Sequence, residues 1–152
     1  MSGGEPSISN IRVGMTASLS GRYAYPGKQA LAGAQAWARW VNRAGGIAMG
    51  DARFQVELVH YDDESSPQRC RTLTQRLIES DDVSVLLGPY SSGLARSAAR
   101  VAAEHGRVLW NHGGALGSQA QGTAVDILSP ASTYFHGVIG YALYRMPEIR
   151  RV

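Results

Sequence analysis

Long apolar runs are missing from this chain: no stretch approaches the roughly 20 residues that a membrane-spanning helix needs. Cysteine is nearly missing. Cys70 stands alone, which excludes an internal disulfide framework and a multi-thiolate metal site. Lysine occurs once, at Lys28, so 14 of the 15 basic residues are arginine. Charged residues make up only 18% of the chain, below the usual quarter. The net charge is +3, but the arginines are scattered, with one small cluster at Arg145, Arg150 and Arg151. Without a basic stripe or an aromatic RNA-binding motif, that charge reads as a solvated surface and excludes a nucleic-acid partner. The opening MSGGEPSISN has neither a basic n-region nor an apolar h-region, so no signal peptide is read. Either the protein is cytoplasmic, or a leader has been replaced by a short tail.

What is present is ordinary for a folded globule. A chain of 152 residues predicts one domain, and at this size about 68–70% of the unfolded surface is buried. Hydrophobic residues reach 44% and glycine 18 residues, which excludes disorder, collagen and coiled coil.

Along the chain, strands and helices alternate. Ile11–Ala17 reads as a buried strand and Ser18–Gly27 as a loop held open by Gly21 and Pro26. Ala30, Leu31, Ala34, Trp37, Ala38 and Val41 mark the core face of a helix over Lys28–Ala44, stopped by Gly45-Gly46. Phe54–Tyr61 is a second strand. Pro67 then starts a helix capped by Ser66, with Leu73, Leu77 and Ile78 inward. Val83–Leu87 is a third strand. Ser91 or Ser92 caps the next helix, which carries Ala95, Ala98, Ala99, Val101 and Ala102. Val108–Trp110 is a fourth strand, Val125–Leu128 a weaker fifth, and a last helix runs from about Thr133 to Tyr144. This alternation predicts an α/β fold: a three-layer α/β/α sandwich, mostly parallel, with the flavodoxin-like strand order 2-1-3-4-5. Ligands of such sheets bind outside the carboxyl ends of the strands. That rule selects Ser18–Gly27, Gly88–Gly93 and Asn111–Ala115.

Most chemistry is excluded at these loops. None carries a phosphate-binding glycine motif. A metal-dependent receiver needs carboxylates after the first strand, where Ala17-Ser18 stands instead. No metal-ligand spacing occurs among His, Asp and Glu, so no cofactor is expected. Ser92 with His112 makes a hydrolase the weakest reading, because no G-x-S-x-G elbow and no third orienting group accompany them. His60 and His105 sit at element ends, and Cys70 reads as a small packed residue. The protein is therefore expected not to be an enzyme. Tyr23, Tyr25, Tyr90 and Tyr134 lie in or near the carboxyl-edge loops, either as half-buried loop residues or as a pocket wall.

Five segments, in order, resemble one family. They are IRVGMTASLSGRYAYPG from Ile11, NRAGGI from Asn42, Tyr61–Asp63 with Pro67, GPYSS from Gly88 and VLWNHGGA from Val108. Together they make residues 11–144 look like the N-terminal lobe of the type I periplasmic solute-binding proteins, in the branch of the leucine/isoleucine/valine-binding proteins. The resemblance implies non-catalytic capture of a small amino acid or related carboxylate for ABC-type import or sensing. It implies a periplasmic or extracellular location, and an ABC permease as partner of a full-length receptor. Carried over by position, Ser92 matches the serine that binds the ligand's carboxylate, and Gly113 and Ala115 match the contacts of the fourth loop. The expected ligand-binding set is Ser92, Ser91, Tyr90, Gly113, Gly114, Ala115, Tyr23, Tyr25 and Tyr134.

Two departures stand out. Ala115 lacks the hydroxyl usual there, and Trp110 and His112 are unusual at that strand end. The chain is also about half the family's length. Residues 1–10 are expected as a disordered or appended tail, 11–144 as a single lobe, and 145–152 as a truncated crossover or tail. A lobe without its partner leaves apolar area exposed, so the alternative expectation is a self-associating interaction module without ligand capture.

Overall fold

The computed structural model describes residues 8–116, 123–129 and 133–148. Its elements are β1 (Ile8–Ala17), α1 (Ala24–Arg43), β2 (Ile47–Met49), β3 (Ala52–Asp62), α2 (Pro67–Glu79), β4 (Val85–Leu87), α3 (Ser92–Glu104), β5 (Val108–Asn111), β6 (Ala124–Asp126) and α4 (His136–Arg145). The six strands form one sheet in the order β2-β3-β1-β4-β5-β6. β3, β1, β4, β5 and β6 run parallel, which is the expected 2-1-3-4-5 arrangement. β2 is an addition: it pairs antiparallel with β3 from Met49 opposite Ala52 to Ile47 opposite Phe54. Three residues are too few to show a strand period in the sequence.

The strands' two-residue period sorts the layers. Val13 and Met15 of β1 and Val56 of β3 face α1, packing on Ala38 and Leu31. The opposite face carries α2 and α3, where Leu77, Ile78, Leu94, Ala98 and Val101 close over Val83, Leu86 and Leu109. Asn42, near the end of α1, ties the first layer to the sheet. Its side-chain amide donates to the Val56 carbonyl at 2.9 Å, and its oxygen accepts from the Val56 N–H at 2.7 Å.

Several boundaries move. α1 starts at Ala24, not Lys28, and takes in Pro26 and Gly27. Pro26 is no barrier there, because first-turn N–H groups have no intrahelical partner to lose. Trp37, expected in the core, is 38% exposed. β1 begins at Ile8, inside the segment expected as a tail, because Ile8–Asn10 pair with Arg53–Gln55. Of the segment 145–152 expected as a tail, Arg145 closes α4, while residues 1–7 and 149–152 lie outside the described residues. β6 is Ala124–Asp126 and α4 is His136–Arg145, each a few residues from expectation. No residue of α4 is buried, and Val138, Tyr141 and Tyr144 are exposed.

Candidate functional site

Because the five parallel strands share one direction, Ala17, Asp62, Leu87, Asn111 and Asp126 all end at one edge of the sheet. The loops leaving that edge meet. Ser91 caps α3: its hydroxyl accepts from the Leu94 N–H at 3.4 Å. Ser92 is therefore the first residue of the helix, and its hydroxyl is turned to the neighbouring loop, accepting from the Ala115 N–H at 2.9 Å. A hydroxyl oxygen that accepts one bond still has its own proton to donate. The first-turn N–H groups of α3 beside it add the positive end of the helix dipole.

The loop after β5 lies tightly on the loop after β4. The Ser91 N–H donates to the Gly113 carbonyl at 2.9 Å. A Cβ on Gly113 would stand 2.8 Å from the Tyr90 Cα, and one on Gly114 would stand 2.9 Å from the Ser92 Cα. Only glycine permits this approach. Asn111, fully buried, holds the turn from below: its amide donates to the Gly114 carbonyl and to the Asp126 carboxylate. Asn111 opens the Asn111–Ala115 loop that the sheet-edge rule selects, and this task goes beyond what that rule implies. Its signal was a polar side chain at the end of an otherwise apolar strand.

Tyr23 and Tyr90 come together from two different loops, ring edge to ring face, with centroids 6.0 Å apart. The Arg22 guanidinium lies 4.3 Å from the Tyr23 ring centroid. The other two tyrosines stand apart. Tyr25 is 78% exposed on the first turn of α1, and Tyr134 is exposed ahead of α4. Among the described residues, no hydrogen bond or ring contact joins either to the Tyr23–Tyr90 pair. Ala115 contributes its backbone N–H, as above, and its carbonyl accepts from Arg96 at 3.4 Å.

The first loop is held by two adjacent carboxylates. Burial opposes ionisation of Asp62, but hydrogen bonds from the Glu64 and Leu19 N–H groups and the Ser20 hydroxyl outweigh it and hold its pKa below the ordinary value. Asp63 is fully buried, and there desolvation wins. Its pKa is pushed up, although the Ser18 hydroxyl and the Ser65 N–H both donate to it.

Nucleophilic chemistry finds no support in this geometry. Burial pushes the Cys70 thiol up to about 11, so at neutral pH it is an un-ionised, inert group. Burial also lowers the pKa of His112, whose Nε2 is sealed without a hydrogen-bond partner among the described residues. No hydrogen bond joins His112 to Ser92 among them. His60 and His105 stay outside the cluster, and the described residues contain no group of three or more His, Cys, Asp or Glu side chains that could hold a metal. No described helix is long and apolar enough to cross a membrane.

The chain belongs to the periplasmic binding protein family, whose model matches residues 10–145. Within it, the fold is that of one lobe of the leucine/isoleucine/valine-binding type. LivJ, the substrate-binding protein of a branched-chain amino acid transporter from Streptococcus pneumoniae, was solved in complex with isoleucine. It is 25% identical to this chain, with a TM-score of 0.78 over 91% of this chain and 39% of that one. The leucine-binding protein LivK from Thermotoga maritima is 15% identical, with a TM-score of 0.72 over 90% of this chain and 38% of its own. A solute-binding protein of an ABC transporter from Rhodopseudomonas palustris, solved with 3,4-dihydroxybenzoic acid, is 20% identical. Its TM-score is 0.73 over 90% of this chain and 36% of its own. The chain thus spans about two-fifths of the length of these proteins. None of them supports the alternative expectation of a self-associating module.

Proposed function

We propose that this lobe captures a small carboxylate-bearing solute at the carboxyl edge of its sheet, without catalysis, as part of ABC-type import or sensing outside the cytoplasm. The observation that carries the reading is the placement of Ser92. Its hydroxyl is fixed by the Ala115 N–H at 2.9 Å, at the first residue of α3. A carboxylate there receives the Ser92 O–H together with helix-terminal N–H groups, in charge-assisted bonds. Gly113 and Gly114 let the two loops close around that position. Tyr23 and Tyr90 supply an apolar wall with hydroxyls for the rest of the solute. Tyr25 and Tyr134 belong to the proposed set at its periphery.

The ligands of the two complexed relatives, isoleucine and 3,4-dihydroxybenzoate, differ in everything except the carboxylate. That shared group is the one Ser92 and α3 are suited to hold. Ala115 has no hydroxyl to add, so the remainder of the solute is recognised by shape more than by a second hydroxyl on this loop.

The test is a titration of the folded chain with isoleucine and with 3,4-dihydroxybenzoate, followed by calorimetry and by amide NMR shifts. Saturable shifts at Ser92 and Ala115 are expected, with affinity lowered about tenfold by Ser92→Ala, the loss of one charge-assisted bond. If neither probe nor any other small carboxylate shifts these amides, the reading is wrong.

A further inference from the structure

Glu64 and Ser65 both lie in the left-handed backbone region, with φ of 52° and 61°. Neither is glycine, so this conformation costs free energy and persists only where the surroundings impose it. The turn's own bonds impose it. The Glu64 N–H donates to Asp62 Oδ1 at 2.8 Å, the Ser65 N–H to Asp63 Oδ1 at 2.9 Å, and the Ser66 N–H to the Asp63 carbonyl at 2.9 Å.

The strained turn grips the loop after β1. Asp62 accepts from the Leu19 N–H and the Ser20 hydroxyl, each at 2.8 Å, and Asp63 accepts from the Ser18 hydroxyl. Ser65 completes the hold: its hydroxyl donates to the Ser20 carbonyl at 2.8 Å and accepts from the Tyr23 N–H at 3.0 Å. Between them sits Gly21, with φ of 75°, where a Cβ would stand 2.7 Å from Ser65 Oγ and 2.8 Å from the Glu64 carbonyl. The two turns are in van der Waals contact; the Tyr23 carbonyl is tied to α1 through the Gly27 N–H at 2.9 Å, and its N–H is tied to the neighbouring turn through the Ser65 hydroxyl. Tyr23 is also the residue whose ring meets Tyr90 across the candidate site.

We propose that Ser65 is the positioning residue for the Tyr23 wall, and so decides how large a solute the site accepts without touching the solute itself. The inference rests on the ligand reading above. Carboxylate capture by Ser92 and α3 does not depend on Ser65. The distance from that anchor to the Tyr23 ring does.

The test is Ser65→Gly. It removes both hydroxyl bonds while relieving the left-handed backbone, so global stability stays close to wild type. Amide exchange at Tyr23 should accelerate at least tenfold, with Leu19, which is held by Asp62, and Met15 in the sheet unchanged. Affinity for isoleucine and 3,4-dihydroxybenzoate should fall severalfold, while affinity for glycine, too small to reach the ring, stays the same. Ser65→Asn, which tolerates the left-handed region and keeps a hydrogen-bonding side chain, should restore part of the protection. Unchanged exchange at Tyr23 overturns the proposal. So does faster exchange with all three affinities unaltered, or an equal loss for all three ligands. Wild-type protein that binds none of the three overturns the ligand reading and takes this inference with it.

Discussion

One strand, β5, faces two different environments. Leu109 points toward α3 and is fully buried, while its neighbours Val108 and Trp110 are 41% and 43% exposed on the other side. The contrast belongs to this end of the sheet, since Val13, Met15 and Val56 are buried beneath α1. On the α2/α3 face, Leu77, Val83, Leu86, Leu94, Val101 and Leu109 close into one cluster. On the opposite face, α1 covers β1 and β3 and stops short of β5 and β6. What remains there is a groove of about 380 Å³ lined by Trp37, Leu87, Trp110 and Ile127, among others. Apolar strand residues stand on both faces. At this end of the sheet burial follows where the helices lie, so Leu109 is expected to contribute more to stability than Trp110.

That contrast is broken most directly by two alanine substitutions in the same strand. Leu109→Ala should cost about 2–5 kcal/mol, read as a fall in the urea midpoint. Trp110→Ala, although it removes a larger side chain, should cost less than about 1 kcal/mol. The reverse order would show that the α1 face carries the fold. Next in size is Gly113→Ala, in the loop above the buried face. Its Cβ would press on Tyr90 Cα at 2.8 Å and on the Pro89 carbonyl at 3.0 Å, which are backbone atoms and cannot swing aside. A loss of about 1–3 kcal/mol is expected, with altered tyrosine fluorescence as the two loops part. Smaller still is Trp110→Ser. Stability should stay within about 0.5 kcal/mol, while binding of an apolar dye to the groove drops. An unchanged dye signal would place the exposed apolar area elsewhere.

The layers were legible in the sequence, and the bonds between loops were not. Apolar residues at helical spacing over 67–79 and 92–104, and β-branched runs between them, announced two helices over one sheet face. Parallel order followed from the alternation alone. Gly- and Ser-rich segments follow the strands at the carboxyl edge, and the structure brings the loops after β4 and β5 together there. β2 has no signature in the sequence, since three residues carry no period. Pro26 carries the signature of a loop residue, because proline breaks a helix everywhere except its first turn, which is where it lies. Trp37 has core spacing, yet it lines the open groove beside Trp110, where no helix among the described residues covers it. Within the candidate site, the tasks of Asn111, Asp63 and Ser65 depend on partners 3 to 45 residues away. Asp62-Asp63 read as family punctuation until the structure showed which N–H and hydroxyl groups they hold.

The smallest effect sharpens the same comparison through pH. At the rim of the closed face, His105 ends α3. Its Nδ1 lies 2.8 Å from the Val101 carbonyl and its Nε2 lies 3.0 Å from Glu79 Oε1 on α2. Both contacts need a proton on the ring nitrogen, which only imidazolium satisfies at once. The Val101 carbonyl first, and Glu79 second, therefore raise the His105 pKa above its ordinary 6.5. The Gln75 amide first, and His105 second, lower that of Glu79 below its ordinary 4.5. A raised histidine contributes stability that is whole below 6.5 and is lost as pH climbs through its folded value. A lowered carboxylate contributes above 4.5 and loses that contribution as pH falls. The pair is thus worth most between those limits. The gap in melting temperature between wild type and His105→Gln should be small at pH 5.5, because both groups are solvated, and should vanish by pH 9. Trp110→Ser, on the open face, should leave that pH dependence untouched. A gap that persists unchanged at pH 9 would mean that His105 stabilises the α2–α3 layer by packing rather than by charge.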